Sequence, residues 1–515
     1  MSNTTHSAST LLRMAMDRGV STVPFLLDTD TYKLSHPQMY ENNRSMTAYY
    51  THRGPLLEED HRIVFYGLRH LYETLLRCRV TMEDIALADA YLAKHSAGGT
   101  PFHYPRDLWV KVVEEHDGYL PLTIRALREG ETVYPQIPCF ITEAKGEFSR
   151  LVTWFETRMM RVWNPSTTAT KAAMVREHLK PLFEASVEPD EMWRLGYALH
   201  DFGSRGVSST ESGMWAGAGH LVVFDGTDNL NAAFKATLWN DGQHVGQSVI
   251  ASEHSVMTSF DHEEAALEQL IDITPEGAIL SCVADSYDYN HFIWNIVPTF
   301  VEKLRAKNIF FVVRPDSGDP ITCVLDGLAA MEKAFGSTVN AKGFKVITGA
   351  GVIQGDGLDL AKITEISDAV HAAGFSAQCV VYGMGGGLLQ KQNRDTLRVA
   401  NKLCEVTRED GSVVPVMKLP KTSRGKFSYP GDMQVNLEGG IPTVYPASAS
   451  WQDRRVEDDM LEVIWDCGPT DYVWETFDAV RARFARTWDS RPPIAEVISE
   501  PLAKKAEAII AERRS

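Results

Sequence analysis

Short apolar runs rich in β-branched residues punctuate the middle of this 515-residue chain: LVVF (221–224), QSVIA (247–251), ILSCV (279–283), IFFVV (309–313), KVI (345–347) and AQCVVY (377–382). Most are separated by about 30 residues, the length of one strand plus one helix in a βαβ unit. The gaps carry helical patterns at 262–272, 321–335 and 358–373. Continuous apolar strands alternating with helices require a parallel sheet covered by helices. Six such units favour an α/β chain whose sheet forms a closed or nearly closed β/α barrel over an open sheet.

The residues immediately after each run give that barrel a working face. Asp225-Gly-Thr-Asp228 succeeds the first run, Ser252-Glu253-His254-Ser255 the second and Ala284-Asp285-Ser286-Tyr287-Asp288 the third. Arg314-Pro-Asp316-Ser317-Gly318-Asp319, GAGVIQGDG and Gly383-Met-Gly385-Gly386-Gly387 succeed the last three. The C-terminal strand ends of a β/α barrel share one face and build its active site. His254, Asp285 and Asp316 are therefore expected together. His254 reads either as a nucleophile or acid/base group or as an ordinary core or surface histidine. Asp285, Asp316 and Asp356 could hold Mg²⁺ together with substrate phosphates, accept hydrogen bonds from ribose hydroxyls, or cap strand ends. The loop Gly383–Gly387 precedes a helical pattern, LLQKQNRDTLRVANKL, which places Arg394 about two turns in. It reads as a phosphate cradle or a tight turn, since glycines let backbone N–H groups approach an anion.

Several classes are disfavoured. The glycine loop lacks the Lys-Ser/Thr of a P-loop, and Gly349-x-Gly351-x-x-Gln354 lacks the third glycine of a dinucleotide fingerprint. Asp201-Phe202-Gly203 has none of the other kinase motifs around it. A net charge of −17 argues against nonspecific binding to nucleic acid or anionic membranes. Within it, residues 391–426 hold nine Lys/Arg against four acids, a local +5. No stretch approaches the roughly 20 apolar residues of a membrane span. Seven scattered cysteines without a Cys-x-x-Cys pair point to a reducing, cytoplasmic setting. The Ser/Thr-rich start, MSNTTHSASTLLRMAMDRG, lacks a secretory h-region and reads as a flexible tail or a transit peptide.

Taken in order, HDFGSRGVSS (200–209), HLVVFDGTDNL (220–230), ASEHSVMTSF (251–260), DSYD (285–288), RPDSGDP (314–320), VIQGDGLD (352–359) and GGGLLQKQNRD (385–395) resemble the nicotinamide phosphoribosyltransferase family. TDTYKLSH (29–36) and FYGLRHL (65–71) extend the likeness toward the N-terminus. It runs from about residue 26 to 430 and weakens in 75–190.

The resemblance implies a type II phosphoribosyltransferase fold, an irregular β/α barrel with a second α/β domain, working as a homodimer with shared active sites. It implies synthesis of nicotinamide mononucleotide from nicotinamide and 5-phosphoribosyl 1-pyrophosphate in NAD salvage. Mg²⁺ is the implied cofactor, and ATP an optional co-substrate that phosphorylates a histidine, here His254. Glu253 and Asp285 would orient that ring. Phe202 would stack on nicotinamide, with Tyr32 of the partner subunit on the other face. Asp228 would accept the carboxamide N–H and disfavour nicotinate, and Ser281 would face the same group. Arg205 and Arg314 would bind pyrophosphate. Asp316, Gly355 and Asp356 would bind ribose, and Gly386 and Arg394 phosphate. Lys33, Arg53, Lys402, Lys418 and Lys421 would hold further phosphates, some across the dimer.

The domains expected are a tail (1–25), an N-terminal α/β domain (26–160) completed by 400–515, and the barrel (161–399). Ser204 stands where relatives can carry an aromatic, and Met384 interrupts the glycine loop. The rival readings are nicotinate phosphoribosyltransferase, which Asp228 opposes, and a catalytically silent nucleotide-binding barrel, which His254, Asp285, Asp316 and the basic set oppose.

Overall fold

The computed structural model describes residues 23–418, 427–447 and 458–514. Lys421 and nearly all of the expected tail lie outside these. Within the last three positions of that tail, Phe25 is buried, its ring edge-on to Trp154. The chain divides into two compact units. The first takes in the described residues up to Trp163, Arg394–Glu475 and those from Arg486 onward; the second is Asn164–Asn393 with Thr476–Ala485.

The first unit is built on a six-stranded sheet in the order 413–415, 400–408, 43–51, 138–145, 123–126 and 462–466, with antiparallel neighbours throughout. Tyr50 and Phe140 stack at 4.4 Å in its core.

The second unit is the barrel. Its parallel strands are β1 (Leu199–Asp201), β2 (Ile250–Ala251), β3 (Ile279–Val283), β4 (Phe310–Arg314), β5 (Ala350–Gln354) and β6 (Val380–Met384). They run in the order β1-β6-β5-β4-β3-β2. The ring closes through residues 225–228, which make single parallel bridges from Asp201 to Thr227 and from Gly226 to Gln247. Arg481, in the segment Thr476–Ala485, pairs with Asp225 at 2.6 Å, and Asp478 accepts from Asn240. Those two contacts draw the segment to the barrel, although it falls inside 400–515, the stretch expected in the other domain.

Alternation along the strands sorts the side chains. Leu280, Cys282, Phe311, Val313 and Val352 are at most 1% exposed. Ile279, Ser281, Phe310 and Val312 line a cavity inside the ring. The crossover helices Glu263–Ile273, Pro320–Phe335 and Leu360–Ala372 match the expected spans to within two residues. Asp319 and Asp359 are engaged as N-caps of the last two, accepting from the N–H groups of Thr322 and Lys362. Asp316 and Asp356 are left to the strand ends.

Four expectations fail locally. LVVF (221–224) ends the helix Thr210–Leu221 and its following turn, and only then does the closing segment begin. A short buried apolar run reads alike in helix and strand. KVI (345–347) pairs antiparallel with Ser337–Val339, and the barrel strand is Ala350–Gln354 instead. There Gly351 dilutes the β-signal; a Cβ on it would lie 3.1 Å from the Cys379 carbonyl oxygen. Residues 377–379 form a 3-10 turn, and the strand starts at Val380.

The helix expected after the glycine loop is a single turn, Gly386–Leu389. Side chains arrest it: Gln390 donates to the Gly203 carbonyl, and Gln392 to Asn164 and Thr168. Arg394 therefore lies outside any helix, 58% exposed beside Asp395. All seven cysteines are unbridged. Among the described residues no helix is long and apolar enough to cross a membrane.

Candidate active site

A cleft of about 900 Å³ opens at the C-terminal strand ends. Phe202 and Arg205 enter it after β1, Asp228 from the closing segment, and Glu253 and His254 after β2. Arg314 and Asp316 come from the end of β4, Gly355 and Asp356 from β5, and Gly385–Gly387 from β6. The barrel thus brings together ten residues named from the sequence: Phe202, Arg205, Asp228, Glu253, His254, Arg314, Asp316, Gly355, Asp356 and Gly386.

His254 begins a single helical turn, His254–Met257. Its ring Nε2 lies 3.6 Å from Asp285 Oδ1 and 3.3 Å from Asp316 Oδ2, and its Nδ1 lies 3.1 Å from the Ser286 hydroxyl. Asp285 is 4% exposed. One of its oxygens accepts from the Asp316 N–H and the Ser317 hydroxyl; the other, buried and without a hydrogen bond, faces the imidazole. Two carboxylates on Nε2 hold the proton there and leave the lone pair on Nδ1, where the Ser286 hydroxyl can donate. Glu253, expected to orient this ring, instead accepts from the Ser255 hydroxyl and lies 3.9 Å from Arg205. Orientation falls to Asp285 and Asp316.

Phe202 has a seat cut for it by glycine. A Cβ on Gly383 would lie 2.0 Å from its ring, and one on Gly355 2.8 Å. Gly383, the first glycine of the loop that suggested an anion cradle, thus makes room for an aromatic face, as does Gly355, expected at the ribose. Below Phe202 lies the inner cavity, about 390 Å³, lined by His200, Ser281, Val312 and Ile353. Phe202, Asp228 and Arg314 border both spaces. Asp228 accepts from the Ser248 hydroxyl. Arg314 Nε is buried without a hydrogen-bond partner among the described residues, a donor of the kind a bound anion satisfies.

Asp201 underpins this corner. It accepts from the Gly203 N–H at 2.7 Å and from Asn229 at 3.1 Å. Burial pushes its carboxyl up to about 6. Burial also lowers the neighbouring His200, against the pull of Asp228, so that imidazole is held toward its neutral form.

The remaining basic candidates belong to the first unit. Burial lowers the Lys402 ammonium, and around it gather Glu156, Arg53, Lys418 and Arg394. Lys33 pairs with Glu156, and Arg53 donates to the Arg398 carbonyl at 3.0 Å. Tyr32 is 55% exposed. Sequence reasoning missed Asp201, Ser286, Gln390 and Lys391. Asp201 was hidden in a tripeptide read as coincidence, and Lys391 in a charged segment read only for its sum. Ser204, which stands where relatives can carry an aromatic, does line the cleft.

Residues 197–438 match the model of the nicotinate phosphoribosyltransferase (NAPRTase) family, and residues 24–124 that of the nicotinamide phosphoribosyltransferase N-terminal domain. The chain is 36% identical over 469 residues to nicotinamide phosphoribosyltransferase of Xanthomonas campestris, covering 89% of this chain and 97% of the relative. The chain belongs to the nicotinamide phosphoribosyltransferase family. A second relative with the same name, from Acinetobacter baylyi, is 29% identical and covers 90% of this chain and 97% of its own.

Among solved structures, human nicotinic acid phosphoribosyltransferase superposes with a TM-score of 0.62 at 16% identity, covering 93% of this chain and 99% of that one. Nicotinate-nucleotide pyrophosphorylase from Pyrococcus furiosus gives 0.58 at 17%, covering 90% and 96%. At such identities they establish the shared two-domain fold alone. Nicotinamide phosphoribosyltransferases are pentosyltransferases, and the cleft of this chain is read accordingly.

Proposed function

We propose that the cleft joins nicotinamide to 5-phosphoribosyl 1-pyrophosphate, giving nicotinamide mononucleotide and pyrophosphate, with turnover coupled to ATP through His254. The observation that carries the coupling is the His254 ring held between Asp285 and Asp316 with Nδ1 on the opposite side. The pyridine nitrogen of nicotinamide attacks ribose C1 as it stands, so the site needs no strong base. It needs an aromatic seat, which Phe202 supplies, and a group that reads the carboxamide. Asp228 accepts the amide N–H and repels a carboxylate in the same place. Bond breaking to pyrophosphate develops positive charge at C1 and negative charge on the leaving group. Arg205 and Arg314 face the second charge; Asp316 and Asp356 hold the ribose hydroxyls.

Among the described residues no group of three or more His, Cys, Asp or Glu could bind a metal ion. That suits Mg²⁺, which typically takes only one or two carboxylates and completes its shell with substrate phosphates and water. Asp316, which lines the cleft, would hold it, with Asp285, which accepts from the Asp316 N–H, as the second candidate, and it would neutralise charge on the leaving phosphates.

For ATP, the Nδ1 lone pair of His254 attacks the γ-phosphorus, the bond to the β,γ-bridging oxygen breaks and ADP leaves with that electron pair, while Asp285 and Asp316 stabilise the charge that the ring acquires. Loss of acid-labile ³²P incorporation from γ-labelled ATP in His254→Ala tests this. Labelling of that variant equal to wild type would refute it.

Completion of the site by a homodimer is part of the reading. Leu230, Phe234 and Leu238 stand at every fourth position of the helix Leu230–Trp239 and are 81%, 68% and 54% exposed. Such a stripe calls for a partner. Tyr32 of the partner subunit would cover the open face of nicotinamide, and basic residues of the partner subunit would reach the phosphates.

A further inference from the structure

The glycine loop after β6 has a brace that no part of the reaction uses. Lys171, on the long helix Trp163–Ser186, is largely buried. Its ammonium donates to the Gly387 carbonyl at 2.8 Å and to the Lys391 carbonyl at 2.9 Å. Gly387 and Lys391 both line the active-site cleft. The first carbonyl lies inside the single turn Gly386–Leu389 and the second two residues beyond it, where the chain has stopped being helical. A Cβ on Gly387 would meet the Leu358 carbonyl oxygen at 2.3 Å, so the backbone here is fixed from the opposite side as well. The loop therefore has one geometry, and a buried charge clamps its carbonyl side.

We propose that Lys171 is a positioning residue for 5-phosphoribosyl 1-pyrophosphate: by binding the carbonyls of Gly387 and Lys391 it holds the glycine loop in its phosphate-accepting shape. The inference rests on the reading of this loop as a phosphate contact. The N–H groups of those same two peptides, on Leu388 and Gln392, are already bound by the Gly385 and Gln390 carbonyls, so the clamp acts by fixing the turn whose first residues, Gly386 and Gly387, line the cleft. The charged groups that bear on Lys171 are Lys391, which disfavours its ammonium, and Asp359, which favours it. Burial outweighs both, and the ammonium is pushed down to about 8. The clamp therefore weakens in mildly alkaline solution.

The test is steady-state kinetics of the full-length protein with Lys171→Met and Lys171→Arg. Removing a charge-assisted donor pair is expected to raise KM for 5-phosphoribosyl 1-pyrophosphate about tenfold or more. KM for nicotinamide and kcat should move much less, and Lys171→Arg should restore most of the loss. As pH rises through 8, the wild-type KM for 5-phosphoribosyl 1-pyrophosphate should climb relative to that of the arginine variant. An unchanged KM in Lys171→Met would overturn the inference. So would equal losses in every kinetic constant together with failure of arginine to rescue, because that marks a fold defect. If wild type itself forms no mononucleotide, the reading of the site fails first and the inference falls with it.

Discussion

At the residue scale, the proposed site separates base recognition from energy coupling. Asp228 borders both the cleft and the inner cavity, where a pyridine substituent would point. Asp228→Ala should lower the preference for nicotinamide over nicotinate by about tenfold or more, since losing ~1.4 kcal/mol of discrimination is tenfold. Competition between the two bases, read by product mass, checks it. Asp201 gives a pH signature. Its carboxyl is raised in the folded chain from 3.8 to about 6, so the folded state binds the proton more tightly than the unfolded one. Its contribution to stability is then most favourable below about pH 4 and is lost as pH rises through 6, by up to about 3 kcal/mol. Relative to Asp201→Asn, wild type should lose thermal midpoint across that interval; parallel curves would show that Asp201 does not carry the shift. The place of His254 beside Asp285 and Asp316 was legible from the strand-end pattern, but the pattern left it equally an ordinary core or surface histidine, and its proposed role came through resemblance. Asp201 was not legible, because what raises it is burial, and burial is a property of the closed ring.

At the element scale, the strand ends do two jobs. Gly383 and Gly355 clear the volume that Phe202 fills. Gly383→Ala should push the ring from its seat and raise KM for nicotinamide about tenfold, with KM for 5-phosphoribosyl 1-pyrophosphate less affected. Phe311, fully buried on β4, tests the core instead. Phe311→Ala should cost about 3–5 kcal/mol of stability, measured by denaturant unfolding. The elements that sequence reasoning located were those with unbroken apolar runs, ILSCV and IFFVV, and the three long crossover helices. Those it missed depend on physics that no local pattern carries. Ala350–Gln354 contains a glycine needed for close packing, and Leu199–Asp201 is only three residues long. The closing segment 225–228 has two single bridges in place of a ladder. The helix expected through Arg394 was stopped by Gln390, Gln392 and Lys171, none of which announces its partner in the sequence.

At the scale of the whole molecule, the barrel presents a cleft of about 900 Å³, while Tyr32 and the Lys402 cluster belong to the first unit. The proposed homodimer gives those residues a use. Leu230→Glu with Phe234→Glu should shift the protein from dimer to monomer in sedimentation and abolish turnover. Mixing Tyr32→Ala with Phe202→Ala protein should then restore some activity through hybrid dimers carrying one intact site. Fold class was legible from the rhythm of the runs, and the working face from the strand-end residues, because a barrel assigns them one face; the reaction was legible through resemblance. The proposed assembly came through resemblance alone, since an exposed apolar stripe depends on which helix face the fold leaves uncovered.

The central claim is the identity of the product and its coupling to His254. The direct measurement supplies purified protein with Mg²⁺, 5-phosphoribosyl 1-pyrophosphate and either nicotinamide or nicotinate, with and without ATP, and reads mononucleotide by mass. The account predicts nicotinamide mononucleotide, a rate raised by ATP in wild type, and no such increment in His254→Ala. Product from nicotinate alone, or an ATP increment that survives in His254→Ala, would contradict it.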